Sequence, residues 1–335
     1  MRVFVAGASG AIGRPLVARL IAAGHEVTGM TRSEQRAARL HEQGAEAVVC
    51  DVFDAELVRS EMERARPEVV VHELTALPET IDLRSSDTYG PTNRLRREGT
   101  RILVDAARSA GARRMVAQSI AFIYAPAGGR VVSEDAPFFE AAPGAFGEAI
   151  AAVLDLERQV TGAQGLEGLV LRYGFFYGPG THYAPDGAQA REVRRRRLPI
   201  VGSGEAVFSF IHVDDAAAAT VAAVERGAPG VYNVVDDEPA PMPEWLPAYA
   251  EALGAPRPLK VPKLLVRLVA GPAAAAFATK LRGASNAKAR RELGWQPRYP
   301  SWRQGFREAL GAPPTPRGAT ARRTRRWPRT PSARQ

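Results

Sequence analysis

The sequence predicts an α/β protein built on a doubly wound parallel sheet, with a smaller C-terminal lobe. Three observations predict this class. A short apolar run at residues 3–6 passes through a glycine-rich turn directly into an apolar-periodic helix at residues 12–23. Strand-like and helix-like segments then alternate as far as residue 119, which is the pattern of βαβ units. Between residues 198 and 262 prolines and short elements replace this alternation, and this change indicates a separate small lobe.

The glycine turn has the spacing of a dinucleotide-binding loop. Its first glycine permits a tight turn, its second lets the backbone approach a pyrophosphate, and its third lets the helix pack closely on the strand. The free N–H groups and the dipole of the helix N-terminus would hold the anion. We therefore expect a Rossmann-type domain that binds a dinucleotide. The expected contacts are Gly7, Ser9, Gly10, Ala11, Ile12 and Gly13.

The residues after the second predicted strand, 25–30, favour NADP over NAD. In this architecture an acidic side chain at that position binds the ribose 2′-hydroxyl of NAD. Here Arg32 follows instead, between Thr31 and Ser33, with Arg36 one turn further along. A guanidinium beside hydroxyl groups suits a 2′-phosphate. NADP is thus the expected cofactor, with NAD as the alternative.

Two further segments extend the predicted cofactor site. The third strand, at residues 45–51, ends in Asp51 and Val52, which are placed to meet the adenine. The fourth strand, at residues 67–72, runs into a loop that contains Thr75 and Ala76. Ligands bind at the carboxyl ends of the strands in an open parallel sheet. This loop is therefore expected to line the cofactor cleft.

The remaining pattern divides the chain into domains. Predicted helices at 94–109 and 146–161 flank a strand at 112–119, and a further strand follows at 167–172. An alanine-rich helix is expected at 216–226, with Asp214 or Asp215 as its N-cap. We predict a cofactor domain over residues 1–170, with segments around 205–235 interleaved, and a substrate lobe over residues 171–311. Residues 312–335 are predicted to form a disordered basic tail.

Composition excludes several classes of function. Of the formal charge of +9, seven arginines belong to residues 312–335, and without them the chain carries about +2, so no specific nucleic-acid site is expected. The single cysteine fits a reducing cytoplasm. The apolar stretch 264–279 is too short and broken to cross a membrane, and predicts a pair of helices in the core or at a homodimer interface. We expect a small-molecule substrate and, without cysteine–histidine zinc spacing, no metal.

The motifs, taken in order over residues 1 to about 310, resemble those of the extended short-chain dehydrogenase/reductases, also called the NAD-dependent epimerase/dehydratase family. The glycine loop comes first, and Glu98-Gly99-Thr100 opens the next long helix as the family's x-Gly-Thr does. The later matches are Ser119 with Ile123-Tyr124-Ala125, Leu171-Arg172, Tyr177-Gly178-Pro179-Gly180, Phe210-Ile211-His212-Val213-Asp214-Asp215, Val231-Tyr232-Asn233-Val234 and Glu292-Leu293-Gly294-Trp295.

The resemblance implies chemistry by Ser, Tyr and Lys, in which the lysine lowers the pKa of the tyrosine and holds the nicotinamide ribose. The chain lacks this Tyr-x-x-x-Lys pair. In one register Phe146 and Ile150 occupy the two positions, and in the other Ala149 and Val153 do. No lysine occurs before Lys260. A phenol without a cationic neighbour is a poor base at neutral pH. The chain is therefore identified as an atypical member of the family.

Two functional readings stay open. The first is an NAD(P)-dependent oxidoreductase or epimerase/dehydratase-like enzyme that acts on a small hydroxy, keto or sugar-type substrate. Its catalytic group would be Ser119, with a side chain expected to point into the crevice, and Tyr124 as proton donor, with His182 or Tyr183 as the alternative donor. Substrate contacts would come from Tyr177, His182, Tyr183 and Arg194. The second reading is a non-catalytic NADP(H)-binding regulator or sensor.

Overall fold

The structure is a computed structural model in which residues 1–310 are described. The tail predicted at 312–335 lies outside the described residues. The strands are β1 (Arg2–Ala6), β2 (Glu26–Thr31), β3 (Glu46–Val49), β4 (Val69–His72), β5 (Arg114–Ile120), β6 (Val131–Val132), β7 (Glu167–Tyr173), β8 (Phe175–Tyr177), β9 (Ile200–Val201), β10 (Val207–Phe208), β11 (Phe210–His212), β12 (Gly230–Val234), β13 (Ala240–Pro241), β14 (Lys260–Val261) and β15 (Gly283–Ala284).

The α-helices are α1 (Gly13–Ala22), α2 (Glu34–Glu42), α3 (Ala55–Ala65), α4 (Gly90–Arg94), α5 (Thr100–Ser109), α6 (Gly144–Thr161), α7 (Ala188–Arg194), α8 (Val213–Glu225), α9 (Met242–Ala252), α10 (Lys263–Val269), α11 (Gly271–Lys280), α12 (Ala287–Glu292) and α13 (Trp302–Leu310). A π-helical turn over Leu95–Gly99 joins α4 to α5, so residues 90–109 run as one helical segment. It begins four residues before the predicted start, with Pro91 in its first turn.

Seven parallel strands form the central sheet in the order β12-β7-β5-β4-β1-β2-β3. The predicted doubly wound α/β class is confirmed. The order reverses between β1 and β4, and the crevice outside the strand ends at such a switch point is where ligands bind. Alternation along β1 explains the two helical layers. Val3 and Val5 belong to the core under α1 and α8, whereas Phe4 and Ala6 belong to the core under α3 and α5.

A third apolar core lies beyond the carboxyl ends of β5 and β7. It is rich in aromatic rings, and α6, α9, α11 and α13 contribute to it. Short strand pairs, among them β8 with β11 and β9 with β14, frame this lobe. The chain returns to the main sheet afterwards, since β12 pairs with β7 and α8 packs against α1. The exact domain limits stay a prediction.

The N-cap predicted for the alanine-rich helix is wrong. Helix α8 begins at Val213, and the Nδ1 atom of His212 accepts the hydrogen bond from the backbone N–H of Asp214 at 3.1 Å. Asp215 faces inward instead, where its carboxylate accepts the backbone N–H groups of Arg298 and Tyr299 at 2.8 and 2.9 Å. An imidazole can satisfy a helix N-terminus when the expected carboxylate is needed elsewhere.

The apolar stretch 264–279 forms the predicted helix pair. Helix α11 buries Ala273, Ala275 and Ala276, whereas α10 has no buried residue and exposes Leu268. Among residues 1–310, no helix is both long and apolar enough to cross a membrane.

Candidate active site

A cleft of about 440 Å³ lies at the carboxyl ends of the strands on both sides of the switch point. Eight of the residues predicted at the cofactor line it, namely Gly7, Ser9, Gly10, Arg32, Asp51, Val52, Thr75 and Ala76. The other three do not line the cleft: Ala11 and Ile12 lie in the turn that leads into α1, and Gly13 is the first residue of that helix. The fold thus brings eight of the predicted cofactor residues together in one cleft. Their role as cofactor contacts stays a prediction.

The first and third glycines of the turn have no room for a side chain. Gly7 has φ +94°, and a Cβ there would lie 2.7 Å from the carbonyl oxygen of Glu73. A Cβ on Gly13 would lie 2.2 Å from the carbonyl oxygen of Gly7. The hydroxyl groups of Ser9 and Thr31, 3.2 Å apart, tie the turn to the end of β2. This bare backbone at the start of α1 fits a pyrophosphate.

The adenosine end of the cleft is positively charged. Arg32, Arg36 and Arg94 all line it. Arg32 and Arg36 are exposed, and within residues 1–310 neither forms an ion pair. The Asp51 carboxylate accepts the backbone N–H of Phe53 at 3.0 Å, which fixes it at the cleft wall. The residues present therefore fit a dinucleotide with an anionic group near the end of β2.

Glu73 is a buried acid that sequence reasoning missed. It follows β4 directly, lines the cleft and is 6% exposed. Tyr173 donates a hydrogen bond to its Oε1 atom at 3.3 Å, while its Oε2 atom has no partner among the described residues. Burial raises the pKa of Glu73 to about 8, and the Tyr173 hydrogen bond opposes this only in part. A carboxylate directly after a strand of three valines and a histidine was the available signal.

The raised pKa of Glu73 predicts a stability that falls as the pH rises. Between about pH 4.5 and 8 the folded protein keeps a proton that the unfolded chain releases, so the free energy of unfolding decreases by up to about 1.4 kcal/mol per pH unit. The stabilisation is complete below the ordinary pKa of 4.5 and is lost as the pH passes about 8. Urea unfolding of wild type and Glu73→Gln at a series of pH values measures it.

The glutamine variant should have a flatter pH dependence over this range, because its amide cannot ionise. Glu140→Gln, at an exposed position in the lobe, should keep the wild-type slope. Equal slopes for wild type and Glu73→Gln would contradict the assignment of this group.

Ser119 and Tyr124 lie together in a buried polar network. The Ser119 hydroxyl donates to Glu157 Oε1 at 2.7 Å, and the Tyr124 hydroxyl donates to Asn233 Oδ1 at 2.6 Å. Arg172 joins them, since it forms a two-pronged ion pair with Glu157 and also donates to the Tyr124 hydroxyl at 2.9 Å. Burial raises the pKa of Tyr124, and the nearby guanidinium opposes this only in part.

The expected direction of the Ser119 side chain needs correction. Ser119 is 2% exposed and Tyr124 is 1% exposed. Along β5 the residues that share the serine's face, Met115 and Ala117, lie in the core under α5 and α6. Ser119 therefore points to Glu157 on α6 and not into the crevice, because side chains alternate along a strand. A catalytic role for Ser119 and Tyr124 stays a prediction.

Helix α6 presents only apolar side chains at the places of the missing pair. Phe146 and Ile150 are buried in the aromatic-rich core of the lobe, and Ala149 and Val153 are buried as well. In neither register, therefore, do the two positions of the missing pair carry a titratable group that could exchange a proton with a substrate.

The four residues predicted at the substrate lie outside the described cleft. Tyr177 and Tyr183 are part of the aromatic-rich core. His182 is partly buried, and burial lowers its pKa. Arg194 is exposed and donates to the carbonyl oxygen of Pro185 at 2.6 Å. Their role in substrate binding stays a prediction.

A half-buried aromatic cluster, here called the phenyl cluster, lies past the ends of β5 and β7. It consists of Phe122, Phe175 and Phe277, all of intermediate exposure. The rings of Phe122 and Phe175 are stacked with centroids 4.2 Å apart, and Phe277 meets both edge-on at 6.1 and 5.8 Å. Such rings offer flat apolar surface with defined geometry. Sequence analysis missed it because the three residues are far apart in the chain.

Known proteins are similar to this chain in sequence and in fold. A model of the NAD dependent epimerase/dehydratase family matches residues 3–234. A Streptomyces sp. protein described as 3-diazoavenalumate denitrifying reductase is 51% identical over 307 residues, 91% of this chain and 99% of the relative. A UDP-glucose 4-epimerase of Mycolicibacterium smegmatis is 31% identical over 89% of this chain and 94% of its own.

A solved structure agrees with these sequence matches. The UDP-glucose 4-epimerase of Thermus thermophilus, in complex with NAD, superimposes with a TM-score of 0.70 at 25% identity, covering 92% of this chain and 98% of that protein. The chain belongs to the NAD dependent epimerase/dehydratase family. Within it, the chain is an enzyme of the oxidoreductase/epimerase type and not the non-catalytic regulator considered above.

Proposed function

We propose that this enzyme uses NADPH to reduce an aryl diazo compound in its diazonium form, with release of N2. The observation that carries the proposal is the apolar α6, where Phe146 and Ile150, or Ala149 and Val153, leave no proton-transfer pair. Reduction of a carbonyl group requires a hydride and a proton. Reduction of a diazonium ion requires only the hydride, so this reaction fits a site without an acid–base pair.

The reaction balances without a protein acid. The dihydronicotinamide supplies a hydride, that is, two electrons and one hydrogen nucleus. A new C–H bond forms on the substrate, the C–N bond breaks, and nitrogen leaves as neutral N2 while the cofactor becomes NADP⁺. The name of the Streptomyces relative states a diazo substrate, a reduction and the loss of nitrogen, and this supports the proposal at 51% identity.

Two side chains that could be nucleophiles, Cys50 at the cleft and Tyr124 in the buried polar network, are suited to an electrophilic substrate. A diazonium ion is an electrophile that thiolates and phenolates attack. Burial raises the pKa of Cys50, which lines the cleft, to about 11, and burial also raises the pKa of Tyr124. Both groups are therefore protonated and unreactive at neutral pH. The phenyl cluster beyond β5 and β7 supplies flat apolar surface for an aryl ring, and aryl diazonium ions persist in water far longer than alkyl ones.

Isotope transfer tests the proposal. Anaerobic incubation with NADPH and a carboxylated benzenediazonium salt should release one N2 for each NADPH oxidised. NADPH deuterated at C4 should deliver deuterium to the product carbon, whereas D2O with unlabelled NADPH should not. A reaction without protein corrects for direct reduction by NADPH. No acceleration over that control, or a product label taken from D2O, would overturn the proposal.

A second candidate is reduction of a keto group with Ser119 and Tyr124 as the catalytic group. The observation in its favour is the Arg172 guanidinium, which gives Tyr124 the cationic neighbour that the sequence lacked, at 2.9 Å. In this case the hydride of NADPH again forms a C–H bond, the alcohol oxygen takes a proton from Tyr124, and no N2 is lost, so turnover of a keto substrate to an alcohol separates this reaction from the release of N2. Tyr124→Phe would then lower kcat about 100-fold.

The cofactor preference is proposed to depend on Arg32. No acidic residue stands at the end of β2, where Arg32 follows Thr31, and Arg32 lines the cleft without an ion-pair partner among residues 1–310. Loss of a charged hydrogen bond to the 2′-phosphate costs about 1.5–3 kcal/mol. Titration of Arg32→Ala should thus show roughly ten- to a hundredfold weaker NADPH binding and unchanged NADH binding.

Arg39→Ala is the matched control for Arg32, because Arg39 is exposed on α2 but does not line the cleft. It should bind both dinucleotides like wild type. Equal losses for NADPH and NADH in Arg32→Ala, or no loss, would refute the assignment.

A further inference from the structure

Arg96 is a buried cation that neither the sequence motifs nor the proposed reaction explains. It lies in the π-helical turn Leu95–Gly99 and is 8% exposed. Its Nη1 atom has two distant acceptors, Asn93 Oδ1 at 3.3 Å and the carbonyl oxygen of Ala149 at 3.5 Å. Within residues 1–310, no carboxylate pairs with it. A guanidinium has five N–H donors in a fixed plane, so most of its hydrogen-bonding capacity is unused.

The helix that carries Arg96 is fastened to the loop after β4. Thr92, one turn before Arg96, accepts the backbone N–H of Ala76 at 3.0 Å. Thr100, one turn after it, contacts His72 Nε2 at 3.1 Å. Arg96 lies on the same face of this helix, between these two contacts. The helix packs against α6. Arg96 therefore lies at the carboxyl end of β4, behind the cleft wall: Arg94, Leu95 and Ala76 line the cleft and Arg96 does not.

An unpaired cation at such a place is unfavourable for the free protein. Burial lowers the pKa of Arg96 to about 10, the direction expected when a charge loses water without gaining an opposite charge. Charges in this state are commonly retained for binding or catalysis. The π-helical turn is a second sign, because such turns are frequent at functional sites.

The course of the cleft indicates which ligand group meets Arg96. The 2′-phosphate is assigned to Arg32 after β2, and the pyrophosphate to the glycine turn after β1. A dinucleotide that continues along the strand ends reaches β4 and β5 with its nicotinamide half. Ala149, whose carbonyl group Arg96 contacts, is directly before Ile150, one of the two positions where the missing lysine would stand.

We propose that Arg96 replaces this lysine as the cation that binds the nicotinamide-side ribose, with its free N–H groups donating to the ribose hydroxyl oxygens. The cation would come from the π-helical turn between α4 and α5, which packs against α6, and not from α6 itself. This inference rests on the dinucleotide part of the proposed function but not on the diazo substrate.

Binding of a whole and a half ligand tests the inference. NADPH contains both riboses, whereas adenosine 2′,5′-bisphosphate contains only the adenosine half. Arg96→Met should bind NADPH at least about tenfold more weakly and the bisphosphate like wild type. Arg96→Lys should recover part of the NADPH affinity, because it restores a cation with fewer donors. Arg32→Ala should weaken both ligands.

Thermal unfolding of the ligand-free protein separates binding from a structural role. Replacing an unpaired buried charge with an apolar side chain should leave the Tm of Arg96→Met unchanged or raise it. Unchanged NADPH affinity in Arg96→Met would overturn the inference, and so would equal losses for both ligands with a lower Tm. If wild type binds neither ligand, the dinucleotide assignment itself fails, which is a distinguishable result.

Discussion

Arg172→Met is expected to lower the free energy of unfolding by about 3–5 kcal/mol, the usual result of breaking a buried ion pair from one side. The Arg172 and Glu157 side chains are 3% and 7% exposed and form two hydrogen bonds, at 2.8 and 2.6 Å. Burial alone would lower the pKa of Arg172, but the hydrogen bonds and charge of Glu157 raise it above its ordinary value. The variant leaves the Glu157 carboxylate buried without its cation.

Two controls accompany this variant in urea unfolding at pH 7. Arg158→Met removes an exposed arginine from the neighbouring position of α6 and should change stability by less than about 0.5 kcal/mol. The double variant Arg172→Met with Glu157→Leu should be more stable than Arg172→Met alone, because it leaves no uncompensated charge. If Arg172→Met lowers the free energy of unfolding by less than about 1 kcal/mol, the ion pair does not make the predicted contribution to stability.

Gly7→Ala is expected to abolish useful dinucleotide binding, with NADPH affinity reduced at least about 100-fold, or about 2.7 kcal/mol. The φ of +94° strains any residue with a Cβ, and the new methyl group would lie 2.7 Å from the Glu73 carbonyl oxygen. A backbone atom cannot rotate aside as a side chain can. The turn must shift, and the N–H groups offered to the pyrophosphate shift with it.

Gly24→Ala is the matched control for Gly7→Ala. Gly24 also has a positive φ, +82°, but no atom lies within 4 Å of its added Cβ. It should cost about 1–2 kcal/mol in stability and leave NADPH affinity unchanged. Isothermal titration of both variants, after circular dichroism has confirmed folding, makes the comparison. Similar affinities in the two variants would show that crowding at Gly7 does not control the turn.

The protonation state of Glu73 is expected to affect both the stability of the fold and the proposed reaction. Its carboxyl group is between the glycine turn and Tyr173 of β7, and its hydrogen-bond partner Tyr173 in turn contacts Thr220 of α8 at 2.6 Å. In the protonated state Glu73 adds no negative charge to the cleft. A carboxylate there would stabilise the cationic substrate and make it a poorer hydride acceptor. The ionisation of Glu73, which lowers the stability of the fold as the pH rises, is thus expected to lower the rate of turnover as well.

The sequence by itself determined the parallel sheet, the glycine turn and most of the residues that line the cleft. These features are local in the chain. Each predicted strand has its own apolar run, and Gly7, Arg32 and Asp51 directly follow or end such runs. The ends of neighbouring parallel strands meet at one edge, so a local pattern is sufficient to bring these residues together.

Only the tertiary structure decided the directions of single side chains and the distant pairs. The side chain of Ser119 points to Glu157. The sequence did not predict this, because side chains alternate along a strand and an error of one residue in the strand's alignment moves every side chain to the opposite face. Arg96 meets Ala149 and Arg172 meets Glu157 across 53 and 15 residues, and the phenyl cluster gathers rings from the segment after β5, from β8 and from α11. No periodicity in one segment reports on such contacts, since they depend on how two elements pack against each other.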